Sequence, residues 1–166
     1  MQVHSKRRPA DLLDRLAARA LPNAAGLEAW DAFLRAHATL MRRLELDLAQ
    51  ASGLALADFD VLAQLARAGG ELRMTDLAAR ALVSRSGMTR RVARLVEEGL
   101  VERANADSDG RGVVVALTDN GLARLAETAP VHLRGISELF VTQLDDQELT
   151  VLKRALDKVT FDTTFG

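Results

Sequence analysis

Between Arg80 and Arg94 the chain carries five arginines, Arg80, Arg85, Arg90, Arg91 and Arg94, and no acid, and most of them fall in "SRSGMTRRVAR", residues 84–94. Guanidinium groups offer forked donors that match phosphate oxygens and the major-groove edge of guanine. Serine and threonine hydroxyls, and the free N–H groups at a helix start, serve the same kinds of acceptor. Yet the whole chain holds 22 basic against 23 acidic residues, a formal net charge of −1. A polyanion would therefore be met by a local patch and not by the field of the whole molecule.

Placed on a helical wheel at about 100° per residue with Ser86 at zero, Arg90 falls near about 40° and Arg94 near about 80°, while Leu95, Met88 and Val92 lie between about 180° and 240°. The spacing predicts a helix that buries Met88, Val92 and Leu95 and turns Ser86, Arg90 and Arg94 outward, with Thr89 on one flank and Arg91 on the other.

A basic helix face is often solvated and nothing more, so its neighbours decide the matter. A preceding helix is expected to start at Thr75, as N-cap, with Leu77, Ala78 and Leu82 inward. Only Val83 and Ser84 separate the two, which is the spacing of a helix-turn-helix. After Gly99 the apolar period drops from 3.6 to 2: "LVERA", a polar tip "NADSDGRG", then "VVVAL" with Val113, Val115 and Leu117 on one face. This is an antiparallel hairpin, long enough for Arg111 at its tip to enter a minor groove.

Around this unit the chain reads as helices. Residues 9–20 form a short amphipathic one (Leu12, Leu13, Leu16, Ala20), ended by Pro22, Asn23 and Gly26. Leu27 to about Ala51 is long, with an apolar stripe through Trp30, Phe33, Leu34, His37 and Leu40, and Gly53 closes it. Ala57–Ala68 repeats the pattern with Phe59, Leu62 and Leu65 until Gly69-Gly70. Thr118 or Asp119 caps a helix running to about Phe140, with Pro130 as an interior kink or break. Asp145 or Asp146 opens a last one with Leu149, Leu152, Leu156 and Val159 on one face.

The fold class is thus mainly α with a small β-hairpin wing. A winged helix-turn-helix over residues 55–118 is flanked by long N- and C-terminal dimerisation helices, 27–54 and 119–160, and preceded by an N-terminal extension, 1–26. Long helices with apolar stripes need somewhere to bury them, and a two-fold axis is the commonest solution.

Several chemistries are excluded. There is no cysteine, so no disulfide, thiolate nucleophile or sulfur-based redox sensing. His4, His37 and His132 are far apart without paired acids, so no metal site is expected. No nucleophile elbow, phosphate-cradling loop or acid pair is present, so neither catalysis nor a cofactor is expected. Asp11, Asp14, Arg15 and Arg19 interrupt the apolar core that an export signal needs, and no run approaches the roughly 18 apolar residues of a membrane span. The expected setting is cytoplasmic, without a membrane partner. Trp30, Phe33 and His37 sit about one helical turn apart. They suit either a pocket for an aromatic acid or the packing of a dimer core or hinge.

On "SRSGMTRRVARLVEEGLVER" (84–103) and "DGRGVVVALTDNG" (109–121) the chain resembles the MarR family of bacterial transcriptional regulators. The first stretch looks like the family's recognition helix and first wing strand, the second like its wing motif D-x-R…V-x-L-T-x-x-G. Element order agrees from about residue 27 to 160. The resemblance implies a homodimer whose first and last helices are knitted to those of the partner, and a repressor bound to double-stranded DNA at a pseudo-palindromic operator. It also implies control by a small effector, often an aromatic or phenolic anion, bound between the dimer region and the winged helix. By position, Ser84, Arg85, Ser86, Thr89, Arg90 and Arg94 resemble DNA-facing residues and Arg111 the minor-groove residue, braced by Asp109. Thr75, at the start of the first helix of the pair, joins this set. The extension lies outside what many members share. Extended members that sense urate carry a tryptophan there, and residues 1–26 hold none. The rival reading is a winged-helix interaction module whose basic face meets an acidic protein instead of DNA.

Overall fold

A computed structural model of the chain describes residues 9–81, 83–105 and 112–160. The chain forms two compact units, residues 1–42 and residues 43–166. Helix α1 (Pro9–Ala20) and the first part of α2 (Ala24–Ser52) belong to the first unit. Pro22 and Asn23 interrupt the helical path, and Asn23 Oδ1 accepts from the Gly26 amide at 2.8 Å, satisfying one of the free donors at the start of α2.

The second unit begins with the end of α2 and continues through α3 (Leu56–Arg67), strand β1 (Glu71–Arg73), α4 (Met74–Arg80), α5 (Arg85–Glu97), strands β2 (Val101–Asn105) and β3 (Val113–Leu117), α6 (Asp119–Leu139), a 3-10 turn (Val141–Gln143) and α7 (Asp146–Thr160). Its core is made where the apolar stripes meet: Leu62 and Leu65 of α3, Leu77 of α4, Met88 and Leu95 of α5 and Val115 of β3 are all fully buried. Among the described residues no helix is long and apolar enough to cross a membrane.

Two expectations need correction here. Thr75 does not cap α4: the helix already begins at Met74 with Arg73 in the capping position, and the Thr75 hydroxyl lies 3.5 Å from Asp76 Oδ1. The reason is β1, a three-residue strand that the sequence pattern did not suggest. Glu71–Arg73 pairs antiparallel with β3, Leu72 opposite Val115, so the chain enters α4 directly out of a sheet. The sheet order is β1-β3-β2, with Arg103 of β2 also opposite Val115. The wing is therefore rooted in three strands and not in a bare hairpin.

The elements end and start where local chemistry requires. Gly99 adopts φ 70 and Leu100 N–H returns to Leu95 O at 2.9 Å, closing α5. Thr118 caps α6: its Oγ1 accepts from Gly121 N–H at 3.0 Å and donates to Gly99 O at 2.7 Å, so one hydroxyl fastens α6 to the end of α5. A Cβ at Gly121 would stand 1.9 Å from Leu100 O, so this close approach admits only glycine. Pro130 lies inside α6, which runs on to Leu139. Asp145 and Glu148 cap α7 reciprocally, at 2.8 and 2.9 Å. Leu82 lies outside the described residues.

Candidate nucleic-acid interface

Helix α5 is held by its apolar side. Met88, Val92 and Leu95 are fully buried, which leaves the opposite edge free. Ser84 is the N-cap, accepting from Gly87 N–H at 3.2 Å, and its hydroxyl lies 3.4 Å from that of Ser86. Ser84, Arg85, Ser86, Thr89 and Arg90 are all exposed. Among the described residues neither Arg85 nor Arg90 has a hydrogen-bond or ion-pair partner. Thr89 donates its hydroxyl to Arg85 O at 2.9 Å, keeping the oxygen's lone pairs available. Replacing the cap, Ser84→Ala, is expected to lower folding stability by about 1 kcal/mol, seen as a fall in the thermal midpoint; an unchanged midpoint would show the cap contributes nothing.

Arg94 and Arg91 behave differently from Arg90. Asp58, near the start of α3, is only 5% exposed, and it accepts from Arg94 Nη2 at 2.6 and 2.5 Å and from Arg91 Nη1 at 2.7 Å. One buried carboxylate thus pins the inner flank of α5 to α3 through two guanidiniums. The Arg94 side chain keeps 51% of its surface open to solvent, and Arg91 keeps 26%. Hence Arg94 faces outward as the wheel indicates, but part of its donor set is already engaged.

Asp58 was not among the site residues suggested by sequence. The available signal was an acid inside an apolar helical pattern, beside Phe59, at a position where burial demands a positive partner. A second unforeseen residue is Arg103 of β2, which donates to Thr89 O at 3.0 Å and so ties the root of the wing to the exposed edge of α5. Thr75 is exposed at the first turn of α4. Asp109 and Arg111, assigned to the wing tip, lie outside the described residues.

In the first unit Trp30, Phe33 and His37 form a ladder along α2, with ring centroids 6.0 and 6.3 Å apart. All three are exposed, Trp30 by 55%. His132 of α6 instead packs its ring 4.5 Å from Phe59, and burial lowers its pKa, opposed by nearby Asp60 and reinforced by Arg67. Among the described residues no cluster of three or more His, Asp or Glu side chains could hold a metal ion.

The chain is similar in sequence and fold to known proteins. Residues 52–112 match the family model described as the MarR family. AbsC, a MarR family transcriptional regulator from Streptomyces coelicolor, is 32% identical and superposes with a TM-score of 0.77 over 82% of this chain and 93% of its own. A second MarR family regulator from Streptomyces coelicolor, solved in complex with DNA, is 30% identical with a TM-score of 0.77, covering 82% of this chain and 90% of that one. An uncharacterised HTH-type transcriptional regulator of Bacillus cereus is 32% identical over 106 residues, 64% of this chain and 69% of that protein.

Proposed function

Because the chain belongs to the MarR family of DNA-binding transcriptional regulators, we propose that it works as a homodimeric repressor. Two copies of α5 would enter successive major grooves of a pseudo-palindromic operator, and a small aromatic or phenolic effector would release them. The observation that carries this reading is the exposed edge of α5 at Arg85 and Arg90, which has no hydrogen-bond or ion-pair partner among the described residues. Guanidiniums left without partners on a helix whose other face is fully buried are positioned for an anionic ligand, and base-edge or phosphate contact uses their full donor set.

Within this reading Arg90, Ser86 and Thr89 address base edges. Arg85, Ser84 and Thr75 meet phosphates, and Arg94 meets a phosphate with the donors that Asp58 does not take. Arg111, braced by Asp109, enters the minor groove. Residues 27–54 and 119–160 supply the dimer region, and the Trp30–Phe33–His37 ladder supports an aromatic effector by offering rings to stack on. The two recognition helices must stand about one duplex turn, roughly 34 Å, apart, so an effector needs only to favour a different spacing to weaken both contacts at once.

The test is the salt dependence of duplex binding, measured by fluorescence anisotropy on a fragment containing an inverted repeat from the neighbouring intergenic DNA. Neutralising six to ten phosphates gives a slope of about −5 to −9 in log affinity against log salt. No duplex binding at low salt would overturn the reading and favour an acidic protein as the partner.

A further inference from the structure

We propose that Glu45 is a positioning residue for DNA binding: by holding the first turn of α3 against the end of α2, it fixes where Asp58 stands, and so where α5 stands relative to the ends of α2 and α6. The proposal rests on the homodimer reading above and names the joint that keeps each recognition helix in register with its half-site. Glu45 lies in the part of α2 that belongs to the second unit, and its Oε2 accepts from the Leu56 amide at 3.0 Å. Leu56 is the first residue of α3, and Ala55, in the capping position, has no side chain able to accept. Helices α5 and α6, by contrast, cap themselves with Ser84 and Thr118. The amides of Asp58 and Phe59 reach Ala55 O at 3.0 and 2.9 Å, so neither competes for the Glu45 carboxylate. An acceptor eleven residues back, on another helix, satisfies a free amide donor and at the same time ties two helices together.

Contacts to three different helices converge on that turn. Leu56 is held by Glu45 of α2. Phe59 packs its ring 4.5 Å from that of His132 of α6. Asp58, between them, grips Arg91 and Arg94 of α5 at 2.5 to 2.7 Å. The ends of α2 and α6 are in turn fastened to each other. Arg124 Nη2 donates to Ser52 O, and Gly135 lets Leu44 lie so near that a Cβ there would stand 2.6 Å from Leu44 Cδ2. Only Gly53, Leu54 and Ala55 join α2 to α3, and Ser52 Oγ accepts from the Leu54 amide at 3.2 Å. The two helix ends therefore act as one base, which addresses the front of α3 through a hydrogen bond and a ring contact on either side of Asp58. In a dimer on its operator each α5 meets its half-site at a set distance from the other, so a loosened joint costs discrimination between half-site spacings and not affinity alone.

The test changes the operator as well as the protein. Affinity is measured by fluorescence anisotropy on the inverted repeat and on the same repeat with a single base pair inserted between its halves. The wild type should prefer the native spacing by about tenfold or more, and Glu45→Ala should reduce that preference to about threefold or less. Glu45→Gln, whose amide oxygen accepts from the same N–H, should restore it. Leu56→Pro removes the donor in place of the acceptor. Proline suits the first position of a helix, and Ala55 before it already has φ −68 and ψ 142, the extended conformation that precedes a proline. This variant should lose the preference to the same degree, and adding Glu45→Ala to it should change nothing further. Additive losses would show that the two groups act apart and would overturn the proposal. A lower thermal midpoint with the spacing preference intact in both variants would make Glu45 a cap and nothing more, which overturns it too, as does a wild type that binds both spacings equally. No wild-type binding to either duplex instead removes the reading on which the proposal rests. Should Glu45→Ala not fold, Leu56→Pro against the wild type gives the same decision.

Discussion

Asp58→Ala is expected to remove about 2–3 kcal/mol of folding stability, more than any single change on the exposed edge of α5. The substitution leaves Arg91 and Arg94 without the carboxylate that both hold, at 2.5 to 2.7 Å, and deletes the pin between α3 and α5. Breaking a fully buried pair costs about 3–5 kcal/mol because the remaining charge cannot be hydrated. Here Arg94 is half exposed and Arg91 a quarter exposed, so both can turn partly to water, and the loss falls below that range. Urea denaturation reads it as a lower midpoint at an unchanged slope. A loss under about 0.5 kcal/mol would show the contact to be surface-like in energy.

Arg90→Ala is expected to weaken operator binding by about 1–3 kcal/mol, roughly 5- to 150-fold, with no change in thermal midpoint. Nothing among the described residues depends on this side chain, so its removal subtracts only what the duplex receives. Arg94→Ala separates from it: the same substitution four residues later removes two of the three contacts on the buried Asp58, leaving it to Arg91 alone, and so it lowers folding stability as well as affinity. Anisotropy titration alongside thermal melting distinguishes the two. Equal affinity of Arg90→Ala and wild type would place Arg90 outside the interface.

The contrast between Arg90 and Arg94 shows how far the sequence could be read. Periodicity identifies the faces of α5, because Met88, Val92 and Leu95 leave only one way to bury the helix, and the positions of α3, α6 and the wing strands follow from equally strong patterns. It says nothing of partners 33 to 36 residues away, and Asp58 becomes a partner of Arg91 and Arg94 only once α3 and α5 are packed. The strand Glu71–Arg73 escaped for a related reason. Three residues are too few for an alternating pattern, and their pairing comes from β3, more than forty residues later. Thr75 fits a cap by type, but the chain passes from β1 at Arg73 straight into α4 at Met74, so the capping position falls on Arg73, two residues sooner. Asp109 and Arg111 rest on their resemblance to a wing motif.

The central place of β3 has a mechanical consequence. Its one edge holds β2, which continues toward the wing tip, and its other edge holds β1, which runs without a break into α4. On the proposed binding mode, a duplex pulling on the wing would load a sheet whose far strand leads into the front of the helix pair. With Arg103 clasping the carbonyl of Thr89, the same pull would also reach α5. On the proposed binding mode, minor-groove and major-groove engagement would not be two separate grips, and a sequence that widens or narrows one groove would change how firmly the other is held.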